Sequence, residues 1–472
     1  MKRSPDRVVA ELPHLTSTAR VVVIGAGMAG LAAALELKEA GCQVQVLEAR
    51  HRAGGRVRTL REFPEGMYAE QGATRFPDAH HYTMHYLHRF GLPLIRFDRP
   101  EWGETLRIMG HEVAHHPWQR LAWPDELGLR PDERELSLEG LLERYLAELV
   151  DEIGDPLAPS WPSAELVAAY DHLGFGELLR SRGASEGAIS ALTLGSHVGE
   201  GIDSISALWA LQALALDAGS QGAVKVEGGN DLLAEAFASQ LAGDIHFGQV
   251  VTGIEVDQDG VSVHAQGLDG SQTVRGDYAI CTLPLPLLAR LPISPELPRQ
   301  QRAAIATIPY ASLSRVALQC RTRFWLESGR SGFVHTDEFV PEIWELTVGE
   351  PSTRGILVGY CGGQQARRVA AMSEADRVVD TIARLESTFP GLGDQVEAGT
   401  SICWDDDPWA LGGGAWFRPG DLAIRPLLAV PHGRLHFAGE GVSNWPGWVQ
   451  GAFESARSVA AGILRLSSGG SQ

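Results

Sequence analysis

Gly25, Gly27 and Gly30 follow directly on the apolar run Val21 to Ile24, and Glu48 closes the alternating segment beyond them. Three glycines at this spacing, with an acid after them, are the residue types that bind a dinucleotide. Gly25 makes a tight turn, Gly27 lets backbone approach a pyrophosphate, and Gly30 lets a helix pack close to a strand. The free N–H groups and partial positive charge at a helix start then face the phosphates. Glu48 lies 18 residues after Gly30, and its carboxylate can accept both hydroxyls of a ribose.

Those residues need a strand, a helix and a second strand to hold them. Val21 to Ile24 predicts a short buried strand. Leu31 to Ala40, rich in Ala and Leu, predicts a tightly packed helix that Gly41 stops, and Gln43 to Leu47 alternates as the second strand. Glycines cluster in any tight loop, so the triplet alone is weak evidence. Strand, turn, helix, strand and acid in register make it specific.

Beyond this unit the texture changes from about residue 113 to 222. Leu136 to Val150 and Ser163 to Arg182 read as amphipathic helices, interrupted by Pro156, Pro159, Pro162 and Gly174. Strand character returns at Val224 to Val226, then at Val250 to Val256 and Gly260 to Ala265 around an Asp259-Gly260 turn. Tyr278 to Leu283, Ser314 to Gln319, Gly355 to Tyr360 and Leu435 to Ala438 read as further strands, Glu374 to Leu385 and 449–465 as helices. Residues 1 to 18 read as a loosely ordered arm. The expected fold class is therefore α/β, an α+β mixture: a discontinuous Rossmann-like domain (19–60, 222–298 and 430–468), a mixed-sheet substrate domain (61–112 and 299–429) and a helical insert (113–221).

Composition narrows the partners. The 472 residues are 44% hydrophobic and 21% charged, which are globular values, and too many for one core. A net charge of -19 argues against nucleic acid or an anionic membrane. No apolar run reaches the ~18 residues of a membrane span, and the polar start carries no signal-peptide pattern. Cys42, Cys281, Cys320, Cys361 and Cys403 are widely spaced and read as buried free thiols, which fits a cytoplasmic location. His80-His81 and His115-His116 lack partners at ligand spacing, so no metal is expected.

The segment Gly25 to Arg58 resembles the flavin-containing amine oxidases. So does Phe437-Ala-Gly-Glu-Gly441, with Pro446-Gly-Trp-Val-Gln-Gly-Ala452 after it. The resemblance spans nearly the whole chain and implies FAD, held noncovalently because no cysteine stands in the C-terminal motif, where Trp445 and its neighbours lie instead. It implies that Gly55 and Arg56 contact the flavin phosphates, that Glu440 beside Gly439 meets the ribityl or phosphate region, and that Val449 to Ala452 cap the isoalloxazine edge. Val251 matches the residue whose backbone pairs with adenine. Met28, Ala29, Ala49, Arg50, Gly72, Ala73 and Thr74 complete the cradle. Arg56 and the helix dipole would neutralise pyrophosphate, while the helix after Gly451 would aim its positive end at the pyrimidine edge.

Gly72-Ala-Thr-Arg75-Phe-Pro is similar to the L-amino-acid oxidase branch. There the arginine grips the substrate carboxylate beside the flavin, a role carried here to Arg75. Guanidinium suits a carboxylate because it donates two parallel hydrogen bonds. The alternative is that Arg75 pairs with a structural acid or a flavin phosphate. Tyr360 falls where the branch has a tyrosine on the same carboxylate, Gly447 where a carbonyl accepts from the amine, and Trp448 where an aromatic wall stands. Two departures matter. The lysine that often stands near the flavin N5 is Arg315 here, which keeps the charge but cannot lose its proton. The second aromatic wall is replaced by Leu411-Gly-Gly-Gly-Ala-Trp416, which leaves room, with Trp448 and Trp416 near, for a bulky apolar or aromatic substrate.

The implied reaction is oxidation of an L-α-amino acid by O2 to a 2-oxo acid, ammonia and hydrogen peroxide, in a homodimer. Three alternatives stay open: oxidative decarboxylation to an amide, as in tryptophan 2-monooxygenases; oxidation of an amine that has no carboxylate; and a catalytically silent flavoprotein.

Overall fold

A computed structural model describes residues 9, 12, 19–97, 103–158, 160–195, 200–217, 220 and 222–468. The expected arm, apart from residues 9 and 12, and Pro159 lie outside them. The chain opens with β1 (Arg20–Ile24), α1 (Met28–Glu39) and β2 (Gln43–Glu48). The hairpin β3 (Glu104–Ile108) and β4 (His111–His115) precedes the helices α2 (Leu138–Glu152) and α3 (Ala207–Asp217). Then come β5 (Ile245–Phe247), β6 (Tyr278–Cys281), β7 (Leu313–Cys320), β8 (Val334–Thr336), β9 (Glu342–Glu345), β10 (Gly355–Gly362), β11 (Val396–Cys403), β12 (Leu435–Phe437) and the last helix, α4 (Val449–Ser468).

Five strands form a parallel sheet in the order β5-β2-β1-β6-β12. Its strands come from three distant stretches of sequence. They read as apolar runs because both faces are covered: Val22 and Ile24 face one core, while Val21 and Val23 pack with Leu31, Leu35, Phe453 and Ile463 from α1 and α4. Seven strands form a mixed sheet in the order β11-β7-β10-β9-β8-β3-β4, in which only β8 and β3 run parallel.

At three places the structure sharpens or departs from the sequence reading. The helix α1 begins at Met28 rather than Leu31, so Gly30 sits in its first turn. A Cβ there would lie 1.9 Å from the Gly25 carbonyl oxygen, which is why a glycine stands in that turn. The stretch Ser163 to Arg182, expected to be interrupted at Gly174, is Ala164–Leu166, a π turn Val167–Asp171, and Phe175–Ser181. The break falls at Gly174, where a Cβ would come within 2.4 Å of the Asp203 carbonyl. The strand β4 runs through residue 113, so the seven-stranded sheet reaches His115 before the helices begin.

Candidate active site

A cavity of about 510 Å³ opens beside the β1–α1 turn, within the range of cofactor clefts. Its wall carries Gly25, Gly27, Met28, Ala29, Glu48, Ala49, Arg50, Gly55, Arg56, Gly72, Ala73, Val251, Gly439, Glu440, Val449 and Ala452. It also carries Arg315, Tyr360, Gly447 and Trp448. Of the residues singled out from sequence, Gly30, Thr74, Arg75, Trp416 and, within 449–452, Gln450 and Gly451 are not on it.

Glu48 is held at the end of β2 by two backbone donors. Its Oε2 accepts from the N–H of Ala26 at 2.7 Å and its Oε1 from that of Arg50 at 2.8 Å. Each carboxylate oxygen has a further lone pair for a ribose hydroxyl. Gly27 caps α1, and a Cβ there would meet nothing within 4 Å: the backbone faces open cavity. Gly25 has φ +101, and a Cβ would also crowd Thr282 Oγ1 at 2.7 Å. Arg50 is paired with Asp407 at 2.5 Å.

Glu440 is a hub. Its Oε1 accepts from Arg56 Nη1 and from the Tyr310 hydroxyl, both at 2.9 Å. Its Oε2 accepts from the N–H of Gly447 at 2.7 Å. Arg56, expected to serve phosphate, also donates to the Gly413 carbonyl at 2.9 Å. Burial works against the charge on Arg56, but Glu440 and Tyr310 outweigh it and hold its pKa above the usual value. Gly447 has φ +79, a conformation that favours glycine, and a Cβ would point into open space.

A second group gathers on the seven-stranded sheet. Arg315 on β7 and Tyr360 on β10 are cross-strand partners, 8% and 6% exposed, so neither is a solvated surface residue. The Arg315 guanidinium lies 4.3 Å from the Tyr360 ring centroid. It donates to the Gly72 carbonyl and, at 2.7 Å, to Thr74 Oγ1. Burial pushes the Tyr360 phenol up, with Arg315 opposing. Arg75, just before the strand Phe76–Pro77, lies with its guanidinium 4.9 Å from the Trp344 ring centroid. Among the described residues it forms no ion pair with a carboxylate. Its charge acts on Tyr360, on His80 and, without pairing, on Asp217.

Trp448 meets His80 edge-on at 4.9 Å, and His80 meets Trp445 at 4.8 Å. His80 is buried, and that burial, with His81 and Arg75 nearby, lowers its pKa to about 3; it stays neutral. The room read from the glycines at 412 to 414 is filled. A Cβ on Gly413 would strike Leu313 at 2.0 Å, and one on Gly414 would lie 3.1 Å from the Gly447 Cα. Those glycines serve close backbone approach, and Trp416 is buried away from the wall. Sequence reasoning missed Trp404, Trp409 and Thr282 on the wall and Tyr310 behind it. The Trp-rich stretch Trp404 to Trp409 at the end of β11 was the available signal.

The profile of the flavin-containing amine oxidoreductases matches residues 28–464. The chain belongs to that family. This oxidoreductase is 31% identical to the flavin-dependent L-tryptophan oxidase RebO of Lentzea aerocolonigenes, over 94% of its own length and 98% of the relative's. It is 28% identical to the putative L-amino-acid oxidase YobN of Bacillus subtilis, over 94% and 95%. In fold it matches wild-type putrescine oxidase bound to putrescine, with TM-score 0.80 at 24% identity over 96% of this chain and 100% of that one. Cyclohexylamine oxidase from Brevibacterium oxydans matches with TM-score 0.78 at 25% identity over 95% and 99%. Both solved structures share the mixed α/β fold of this oxidoreductase. The family carries a flavin and acts on small molecules with O2. The cavity fits that group: Gly27 leaves the backbone open beside the α1 N-terminus, Glu48 keeps acceptor capacity, and Gly447 opens the far loop.

Proposed function

We propose that this oxidoreductase oxidises an L-α-amino acid, bulky and apolar or aromatic, to a 2-oxo acid, ammonia and hydrogen peroxide, with FAD held noncovalently. The observation that carries the reading is the state of Arg75: a guanidinium stacked on an aromatic face, not paired with a protein acid among the described residues, and within electrostatic reach of Tyr360. A cation held in this way suits an anionic substrate group.

In this reading Arg75 and Tyr360 anchor the carboxylate, the Gly447 carbonyl orients the amine, and Trp448 walls the side chain. Fixing the substrate in this way removes most of the entropic cost of the encounter. Arg75 and Arg315 are both cationic, and their field, with exclusion of water, favours the neutral amine over ammonium. Uptake of a hydride and its return to oxygen are chemistry a bound flavin supplies. Trp448, beside Gly447 on the wall, supports an apolar or aromatic side chain. Glu48 and Val251 on one cavity wall support a dinucleotide flavin, and no cysteine or histidine among the described residues of that wall stands ready to attach it. A cytoplasmic homodimer belongs to the same reading; all five cysteines are buried and unpaired, and no helix among the described residues is long and apolar enough to cross a membrane.

A second reading, an amine substrate without carboxylate, rests on Arg75 standing off the cavity wall. Anaerobic mixing of the purified protein with a panel of L-amino acids and simple amines separates the two. Bleaching of the flavin band by amino acids and by no simple amine is the expected result; bleaching by amines alone would overturn the proposal. Assay of keto acid against amide after admitting air then distinguishes oxidase from monooxygenase.

A further inference from the structure

Two groups proposed to hold the carboxylate come from distant segments, and one side chain touches both. Trp344 on β9 presents its ring to the Arg75 guanidinium at 4.9 Å. It meets the Tyr360 ring at 5.9 Å with the planes 74° apart. Trp344 pairs across the sheet with Val358, and Tyr360 with Glu342. Trp344 and Glu342 are two apart on one strand, so Trp344 and Tyr360 share a face of the sheet. Arg315 closes the row from the other side, 4.3 Å over the Tyr360 ring. The result is an alternation of guanidinium, indole, phenol and guanidinium. Phe97 backs the indole at 6.5 Å. Trp344, like Arg75, is not on the cavity wall.

An arginine side chain has several freely rotating bonds, and ordering it on binding weakens affinity. Among the described residues no acid pairs with Arg75 to order it. The face of an indole is the strongest aromatic partner for a cation. It fixes the guanidinium without neutralising it, which a carboxylate would do.

We propose that Trp344 is a positioning residue for substrate specificity: it preorganises Arg75, and sets Tyr360 against it, to receive an α-carboxylate. The inference rests on the amino-acid reading given above. It assigns the preference for amino acids over the corresponding amines to a residue outside the cavity.

The test compares the holoenzyme with Trp344→Leu, Trp344→Phe and Arg75→Leu variants. Rates of anaerobic flavin reduction are measured against concentration of L-tryptophan and of tryptamine, which lacks the carboxylate. For Trp344→Leu, the apparent Kd for L-tryptophan is expected to rise about tenfold. The limiting reduction rate and the tryptamine parameters stay within about twofold. Trp344→Phe keeps a ring with a weaker face and is expected to show about a threefold rise. If both Trp344 variants keep the parental preference while Arg75→Leu loses it, the inference falls and the functional reading stands. An equal loss on both substrates shows a merely structural role and also overturns it. If Arg75→Leu keeps the preference, or the parent is reduced by tryptamine and by no amino acid, the functional reading fails and the inference with it. Should Trp344→Leu not fold, the Trp344→Phe preference decides: unchanged, it overturns the inference.

Discussion

Arg75 and Glu440 are charged side chains with opposite histories in this fold. Among the described residues Arg75 pairs with no acid, whereas Glu440 accepts from several donors. Charge-assisted hydrogen bonds are worth about 1.5–3 kcal/mol each. Replacing Arg75 by leucine is therefore expected to lower kcat/KM for an L-amino acid about 10²–10³-fold, mostly through KM. Steady-state kinetics on purified variant checks this, and an unchanged KM would rule out the carboxylate grip. Removing Glu440 strands the Arg56 charge and frees the Gly447 loop. A broken buried pair costs about 3–5 kcal/mol, so Glu440→Ala is expected to lower the thermal midpoint and to purify with less flavin. Absorbance of the flavin band relative to protein reads the second effect directly. Glu440 was legible as a site residue because it sits in a local motif. Its partner Arg56, 384 positions away, was not readable as its ion-pair partner, because pairings at that range leave no local pattern.

The β1–α1 turn makes its own prediction, because its glycines do different work. A Cβ on Gly27 enters open cavity, while one on Gly30 strikes backbone at 1.9 Å. Gly27→Ala is expected to fold with a near-parental thermal midpoint and weakened flavin binding. Gly30→Ala is expected to lose fold and flavin together. Parallel melts and flavin titrations check the pair, and equal behaviour would mean the turn is more pliant than its geometry. The seam between β4 and α2 makes another. His115 bonds Glu139 Oε1 through Nε2 at 3.0 Å, and its Nδ1 lies 3.6 Å from Glu104 Oε2. His335 also reaches Glu104, at 3.6 Å. Burial disfavours the charged His115 ring, but the two glutamates prevail and raise its pKa to about 9. A raised folded pKa means stability fully present below the unfolded value of about 6.5 and lost as pH rises through about 9. Denaturant melts between those limits are expected to lose about 2–3 kcal/mol, and His115→Gln to flatten the loss. The apolar run of the strand Gly355–Gly362 and the amphipathic helix Glu374–Leu385 were readable from sequence. The hairpin β3–β4 was not: His111-Glu112-Val113-Ala114-His115 buries only alternate residues and mixes charge with small apolar groups. The break at Gly174 was legible only as a glycine, because its cause, Asp203, is brought there by tertiary packing.

At the scale of the whole molecule, the parallel sheet is assembled from three stretches of chain, with the seven-stranded sheet and the helices threaded between them. Its order places β1 at the centre and β12 at one edge. The helix α4 packs on the same side as α1. The cavity wall draws on both ends of this arrangement, from Gly25 to Ala452. A ribosome makes β1 long before α4, so the fingerprint turn emerges early and waits. Until β12, Glu440 and the start of α4 have left the exit tunnel, Arg56 has no acid and the Gly447 loop does not exist. Tight flavin capture is therefore expected to follow synthesis rather than accompany it. A nascent chain arrested before residue 440 is expected to remain colourless at any flavin concentration the completed protein would saturate.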